Sequence, residues 1–147
     1  MLGIVHMLTG ALIGKVIGVP WLVIPIAFIS HFILDAIPHS DTEIKNYSEK
    51  GITRENIKDL ILCSLEPIFG IFLVIVLAGI NPDKSTWIIV GAFFAILPDI
   101  LEFLLRTFSV KSIIAILDKY HNNSKNYFFG VGIQVIISVI SIVLILW

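Results

Sequence analysis

The sequence predicts an all-α polytopic membrane protein, a bundle of about five transmembrane helices with one short interfacial helix. Of the 147 residues, 57% are hydrophobic and only 14% are charged, whereas a soluble domain has roughly half and a quarter. The apolar residues form long runs, each close to the roughly 20 residues that cross about 30 Å of hydrocarbon. The length predicts a single domain over residues 1–147.

The apolar runs define the order of the helices. Gly18-Val19-Pro20 predicts a tight turn, so the first two helices should form an antiparallel hairpin, and Asn81-Pro82-Asp83 should separate the third and fourth helices. Residues 40–57 form a polar loop. The predicted spans cover about residues 2–18, 20–38, 58–80, 85–107 and 126–147.

Two further patterns concern helix contacts. Gly10, Gly14 and Gly18 are spaced four residues apart, which lets a neighbouring helix approach closely, and helix two is the expected partner. Residues 109–121 place apolar side chains on one helical stripe, which predicts a short helix lying in the membrane interface. The alternative is that this segment is a loop at the end of helix four.

The distribution of basic residues predicts the orientation. With five crossings, the N-terminus, the 40–57 loop and the 108–125 segment share one side, which carries eight of the ten Lys and Arg residues. The positive-inside rule makes that side cytoplasmic. We therefore expect a multi-pass inner-membrane protein whose N-terminus is cytoplasmic. The net charge of −1 gives no case for nucleic-acid binding, and a single cysteine excludes an intrachain disulfide.

Ionisable residues inside the predicted spans or next to their ends gather in one layer. A central Asp, Lys or Arg costs about 2.5–3.5 kcal/mol in a membrane helix. A group of ionisable residues in membrane helices therefore indicates a function or a specific structural role. The set extends from the cytoplasmic surface to about 12 Å below it, at about 1.5 Å per residue. Its members are His6, His31, Asp35, His39, Glu66, Asp99, Glu102 and His121.

The spacing within this layer favours a metal site. His31, Asp35 and His39 follow at i, i+4 and i+8, and so share one helix face unless Pro38 disturbs the last turn. Imidazoles combined with carboxylates suit zinc, manganese or iron. Two alternatives remain open, a structural polar network between helices and a path for protons or ions.

The segment Ser30-His31-Phe32-Ile33-Leu34-Asp35-Ala36-Ile37-Pro38-His39 resembles the SHxxxDxxPH signature of small bacterial membrane proteins of the YdjM type. These are described as membrane-bound metal-dependent hydrolases, some of them as zinc-dependent and similar to phospholipase C. His6, the Leu97-Pro98-Asp99 stretch and His121 fit the same order. The resemblance implies metal ligation by His31 and Asp35, and also by His6, Asp99 and His121.

The function expected from these observations is hydrolysis of an amphipathic substrate, such as a phosphoester or lipid headgroup, by a divalent metal, with zinc expected. Glu102 or Glu66 is expected to act as general base. The alternatives are a non-enzymatic metal or proton carrier, and a structural membrane protein with a polar packing network. The predicted metal ligands are His6, His31, Asp35 and Asp99, with His39 and His121 as further ligands.

Overall fold

The computed structural model describes residues 1–40, 57–108 and 127–147. Within these ranges the chain forms five α-helices and one short 3₁₀ helix, and no strand, which confirms the all-α prediction. The predicted interfacial helix, His121 and most of the polar loop lie outside the described residues. The helices are α1 (Gly3–Ile17), α2 (Pro20–Ala36), α3 (Ile57–Ile80), α4 (Ser85–Thr107) and α5 (Tyr127–Leu146), with the 3₁₀ helix at Pro82–Lys84.

The α1–α2 hairpin has the predicted tight turn. Gly18 adopts a left-handed conformation, with a φ of 61°, and its N–H donates to the carbonyl of Gly14 at 3.0 Å. A residue without a Cβ takes this conformation at little cost. Pro20 then starts α2, where its fixed φ suits the first turn and its missing N–H has no helical partner to lose.

Helix length supports two of the five predicted crossings. In the described ranges, Pro82–Leu105 and Tyr127–Leu146 are long and apolar enough to cross a membrane. α1 has 15 residues and α2 has 17, so at about 1.5 Å per residue they extend about 22 and 26 Å, short of about 30 Å of hydrocarbon. The prediction of five full-length spans thus exceeds what the helix lengths support.

α1 lies at the centre of the bundle and contacts each of the other four helices. Its glycines pack against α4, so the expectation that they face helix two was wrong. A Cβ at Gly10 would overlap the carbonyl oxygen of Gly91, and one at Gly14 would overlap that of Trp87. α1 packs closely against α4 because α4 also carries small residues, Gly91, Ala92 and Ala95, where the two helices meet.

The apolar core surrounds α1. Its largest cluster joins side chains of α1, α3 and α4 with one from the end of α5, and a smaller one lies near the start of α1. The polar side chains described below lie beside that smaller cluster, where α1 begins and α2 ends. The larger cluster consists of Met7, Leu8, Ala11, Val74, Leu77, Ala78, Ile88, Ala92 and Ile145.

Candidate metal centre

Four of the predicted ligands come together from three helices. His6 lies in the second turn of α1, His31 and Asp35 lie one turn apart near the end of α2, and Asp99 lies in the second half of α4. The hairpin brings the start of α1 beside the end of α2, and the close α1–α4 packing brings Asp99 to the same place. The structure thus brings these four side chains, predicted as ligands, next to one another.

The distances between donor atoms match those of ligands sharing one ion. Asp35 Oδ1 lies 3.2 Å from His6 Nε2, Asp35 Oδ2 lies 3.1 Å from His31 Nε2, and Asp99 Oδ1 lies 3.5 Å from His31 Nε2. Ligands held at about 2.1 Å around a tetrahedral zinc are about 3.4 Å apart. One ligand atom from each of His6, His31 and Asp99 lies within 4.8 Å of the others, so these residues could hold a metal ion.

The orientation of His31 is set by a backbone carbonyl. Its Nδ1 lies 3.0 Å from the carbonyl oxygen of Ala95, and because a carbonyl can only accept, Nδ1 carries the hydrogen. In the neutral ring, the Nε2 lone pair then points towards the carboxylates of Asp35 and Asp99. This arrangement is repulsive unless a positive charge, either a proton or a metal ion, lies at Nε2. Metal-bound histidines commonly donate their other N–H to a carbonyl in this way.

His6 lies against Asp35 in the buried part of the site. The side chain is fully buried, and neither ring nitrogen makes a hydrogen bond within the described part of the chain. Its Nε2 is nevertheless 3.2 Å from Asp35 Oδ1. A short distance without hydrogen-bond alignment is typical of two ligands of one ion, because each lone pair points to the ion. An unsatisfied buried nitrogen otherwise costs about 1–3 kcal/mol.

The imidazole rings of His6 and His31 are stacked, with centroids 4.1 Å apart and planes inclined by 25°. This contact fixes the two rings relative to each other, although they belong to different helices. Both Nε2 atoms consequently face the Asp35 carboxylate, one at each oxygen. The pair therefore forms a preorganised donor set.

Exposure increases across the site. The side chain of His6 is completely buried, that of His31 is 3% exposed, that of Asp35 is 11% exposed and that of Asp99 is 38% exposed. The cluster is thus closed at α1 and open at α4.

Asp35 also pairs with the amino group of Met1, whose nitrogen lies 2.8 Å from Oδ1. This contact was not predicted from the sequence. It places a further positive charge at the oxygen that faces His6, whereas Oδ2 faces His31. Asp35 is therefore the central residue of the cluster, contacting partners on α1 and α2 and at the start of the chain.

Glu66 does not contribute to this cluster. Its two carboxylate oxygens accept hydrogen bonds from the backbone N–H groups of Gly3, at 3.2 Å, and of Ile4. These are among the first N–H groups of α1, which have no partner inside the helix. A carboxylate is favourable there also because of the helix dipole. The contact gives Glu66 a capping role that its sequence position did not indicate.

The remaining predicted residues have other locations. His39 is buried beyond the end of α2, with Nδ1 2.7 Å from the carbonyl oxygen of Ile37, and it is not one of the described residues whose ligand atoms lie within 4.8 Å of one another. α2 ends at Ala36 because Pro38 disfavours a helical conformation at Ile37, so the i+8 relation fails. Glu102 is half-buried on α4, one turn beyond Asp99.

Sequence reasoning missed the carbonyl of Ala95. Pro98, three residues later in α4, lacks the N–H that would pair with the Phe94 carbonyl, so it does not account for the contact of His31 with Ala95. No signal in the sequence marked Ala95.

Comparisons with protein-family models, with curated proteins and with solved structures found no match to this chain. The geometry of the cluster and the composition of the helices therefore carry the functional argument.

Proposed function

We propose that the protein is a membrane-embedded, metal-dependent hydrolase whose site lies near the cytoplasmic leaflet and acts on a phosphoester or lipid headgroup. The observation that carries the proposal is the His6–His31–Asp35–Asp99 cluster, in which the unpartnered His6 nitrogens and the oriented His31 favour a bound cation. Membership of the YdjM type is part of the proposal and rests on the 30–39 motif.

The exposed apolar surface supports a membrane location. Only 28% and 22% of the most apolar windows of the two long helices are buried inside the protein, whereas an apolar core helix of a soluble protein is mostly buried. Large apolar side chains such as Ile68, Phe72 and Ile75 are more than half exposed on α3 as well. We propose that all five helices lie in the bilayer, the shorter ones locally thinning it.

The cytoplasmic orientation follows from the basic residues near the helix ends, by the positive-inside rule. The start of α1 and the end of α2 would then lie at the inner surface. Because the site is open at Asp99, a substrate whose polar group sits at headgroup depth can reach it from the membrane. This favours an amphipathic phosphoester over a small soluble metabolite.

The donor set fits a divalent transition metal. Two imidazole nitrogens with two carboxylate oxygens are ligands that zinc accepts, and manganese and iron also bind them. His6, His31, Asp35 and Asp99 would hold the ion, and zinc is our proposal. Such an ion would supply the Lewis acidity that activates water near neutral pH.

Glu102 is the proposed general base. It lies one turn beyond Asp99 on α4 and is half-buried at the open side of the cluster. Glu66, the other predicted base, has both oxygens directed at the N–H groups of α1. A carboxylate engaged in capping is poorly placed to receive a proton from water, so the proposal assigns this role to Glu102.

Elemental analysis of detergent-purified protein tests the metal. We expect about one equivalent of zinc or a similar metal in the wild type, and loss of that metal in His31→Ala. His39→Gln is the matched control, because His39 is also a buried histidine but is not one of the described residues whose ligand atoms lie within 4.8 Å of one another. Unchanged metal content in His31→Ala would refute the site.

Hydrolysis is tested separately, with the purified protein in vesicles of defined phospholipids. We expect release of headgroup or phosphate that stops after chelation and returns with zinc. Metal flux into proteoliposomes without lipid turnover would instead indicate a carrier. Stability changes without metal or turnover would indicate a structural network.

A further inference from the structure

Two polar side chains tie the start of α1 to the rest of the bundle. The N–H of Leu2 donates to Gln134 Oε1 at 2.8 Å, and the next two N–H groups donate to Glu66. Gln134 comes from α5 and Glu66 from α3. The first turn of α1 is therefore held by side chains from two other helices rather than by a local cap.

Gln134 also reaches the end of α2. Its Nε2 donates to the carbonyl of Ser40 at 2.7 Å and to that of Gly130 at 3.3 Å. Gln134 is 2% exposed, so leaving these groups unpaired would carry the full desolvation cost of buried polar atoms. One buried amide thus joins the start of α1 and the segment after α2.

The packing around this amide is tight. A Cβ at Gly130 would overlap Ser40 Oγ and would lie 2.8 Å from the carbonyl carbon of His39. Ser40 Oγ donates in turn to the carbonyl of Tyr127 at 3.3 Å. α5 is therefore pressed against the segment after α2, which leaves little room for that segment to move relative to α5.

These contacts lie next to the candidate ligands. His6 is one turn along α1 from the amides that Glu66 and Gln134 hold, and Asp35 is five residues before Ser40. The His6–Asp35 distance therefore depends on two chain segments that Gln134 links directly. Side chains beyond the ligands commonly set ligand orientation in this way, and their loss weakens metal binding.

We propose that Gln134 and Glu66 are positioning residues of the metal centre, which fix His6 on α1 against His31 and Asp35 on α2. The inference rests on the proposed metal site and adds to it the residues that keep the ligand on α1 in place relative to the ligands on α2. No sequence motif marks Gln134 as part of a site.

The test compares zinc affinity with stability in the full-length protein in detergent. Zinc alone is the probe, titrated in competition with a chromophoric chelator, and stability is followed by thermal unfolding of metal-free protein. The variants are Gln134→Met, which keeps the length of the side chain without its hydrogen bonds, and Glu66→Gln, which is isosteric. Ser141→Ala is the matched control, because Ser141 is another buried polar residue of α5, two turns away.

We expect Gln134→Met to weaken zinc binding roughly ten- to a hundredfold, with stoichiometry retained at saturating zinc. Glu66→Gln should cause a smaller loss, because its remaining carbonyl oxygen still accepts one hydrogen bond. Ser141→Ala should bind zinc like the wild type. If Gln134→Met fails to fold, Glu66→Gln alone decides the question.

Wild-type zinc affinity in the folded variants, with only a lower unfolding temperature, would overturn the positioning role and leave both residues as structural. Failure of the metal site itself would give a different result, because the wild type and His31→Ala would then bind zinc equally weakly.

Discussion

Gly10→Ala is the most direct test of the helix packing that assembles the site. A Cβ at Gly10 would overlap the carbonyl oxygen of Gly91 and the Cβ of Ala95. Neither is the end of a flexible side chain, since one is backbone and the other a Cβ fixed to it. α1 and α4 must therefore separate, and overpacking of this kind costs about 1–3 kcal/mol.

The matched control is Gly132→Ala in α5. A Cβ added there meets no atom within 4 Å, and alanine is preferred over glycine within a helix by about 0.5–1 kcal/mol. The same chemical change should thus destabilise the protein at Gly10 and leave it equally or more stable at Gly132. The difference in free energy of unfolding between the two variants therefore separates the loss of close packing from the general effect of replacing glycine.

Reversible unfolding in mixed micelles with increasing SDS measures the free energy of unfolding of both variants. Separating α1 from α4 should also displace the ligands of the metal centre, because Gly10 is one turn from His6 and Ala95 carries the carbonyl that orients His31. Gly10→Ala should therefore also bind zinc more weakly. A Gly10→Ala protein as stable as Gly132→Ala would refute the close α1–α4 contact.

Three further predictions follow from individual side chains. Lys15→Met should lower the free energy of unfolding by about 1 kcal/mol, because Lys15 Nζ donates to the Ile145 carbonyl at 2.6 Å; equal SDS midpoints would contradict this. Thr9→Val should raise it by about 1 kcal/mol, because Thr9 Oγ1 is buried without a hydrogen-bond partner in the described ranges; a less stable Thr9→Val would show that the hydroxyl has a partner. Glu102→Gln should keep its metal but lower the hydrolysis rate roughly a hundred- to ten-thousandfold; undiminished release of headgroup would remove Glu102 as the base.

The sequence was sufficient to predict those site residues that share one helix face or one predicted layer of the membrane. His31 and Asp35 are one turn apart, so any helix places them on one face. His6 and Asp99 belonged to the same predicted layer, and the cost of ionisable groups in a membrane made their clustering the expected solution. The hairpin at Gly18 then brought the correct ends of α1 and α2 together.

The contacts of the other predicted site residues depend on how helices end and pack. His39 could share the helix face of His31 only if α2 continued to residue 39. Because Pro38 disfavours a helical conformation at Ile37, α2 ends at Ala36 instead. Glu66 belonged to the predicted layer, but the N–H groups at the start of α1 compete for its carboxylate. That competition becomes visible only once α3 is placed beside the start of α1.

The packing partner of α1 shows a related limit. The glycines of α1 predict a close contact but do not specify which helix makes it, because the matching surface lies on the partner. Connection by a short turn favoured α2, whereas the small residues Gly91, Ala92 and Ala95 made α4 the better fit. Surface complementarity, which requires both helices, decided the contact over chain proximity.

The choice between a metal centre and a proton-linked polar network depends on the two histidines together. A proton on His31 Nε2 would be sufficient to join it to Asp35 and Asp99. It would leave both nitrogens of the buried His6 without a hydrogen bond to the described residues, although Nε2 lies 3.2 Å from Asp35 Oδ1. A single cation bound by both Nε2 atoms would account for the short contact at His6 and for the orientation of His31, and this is the reason for which we propose a metal.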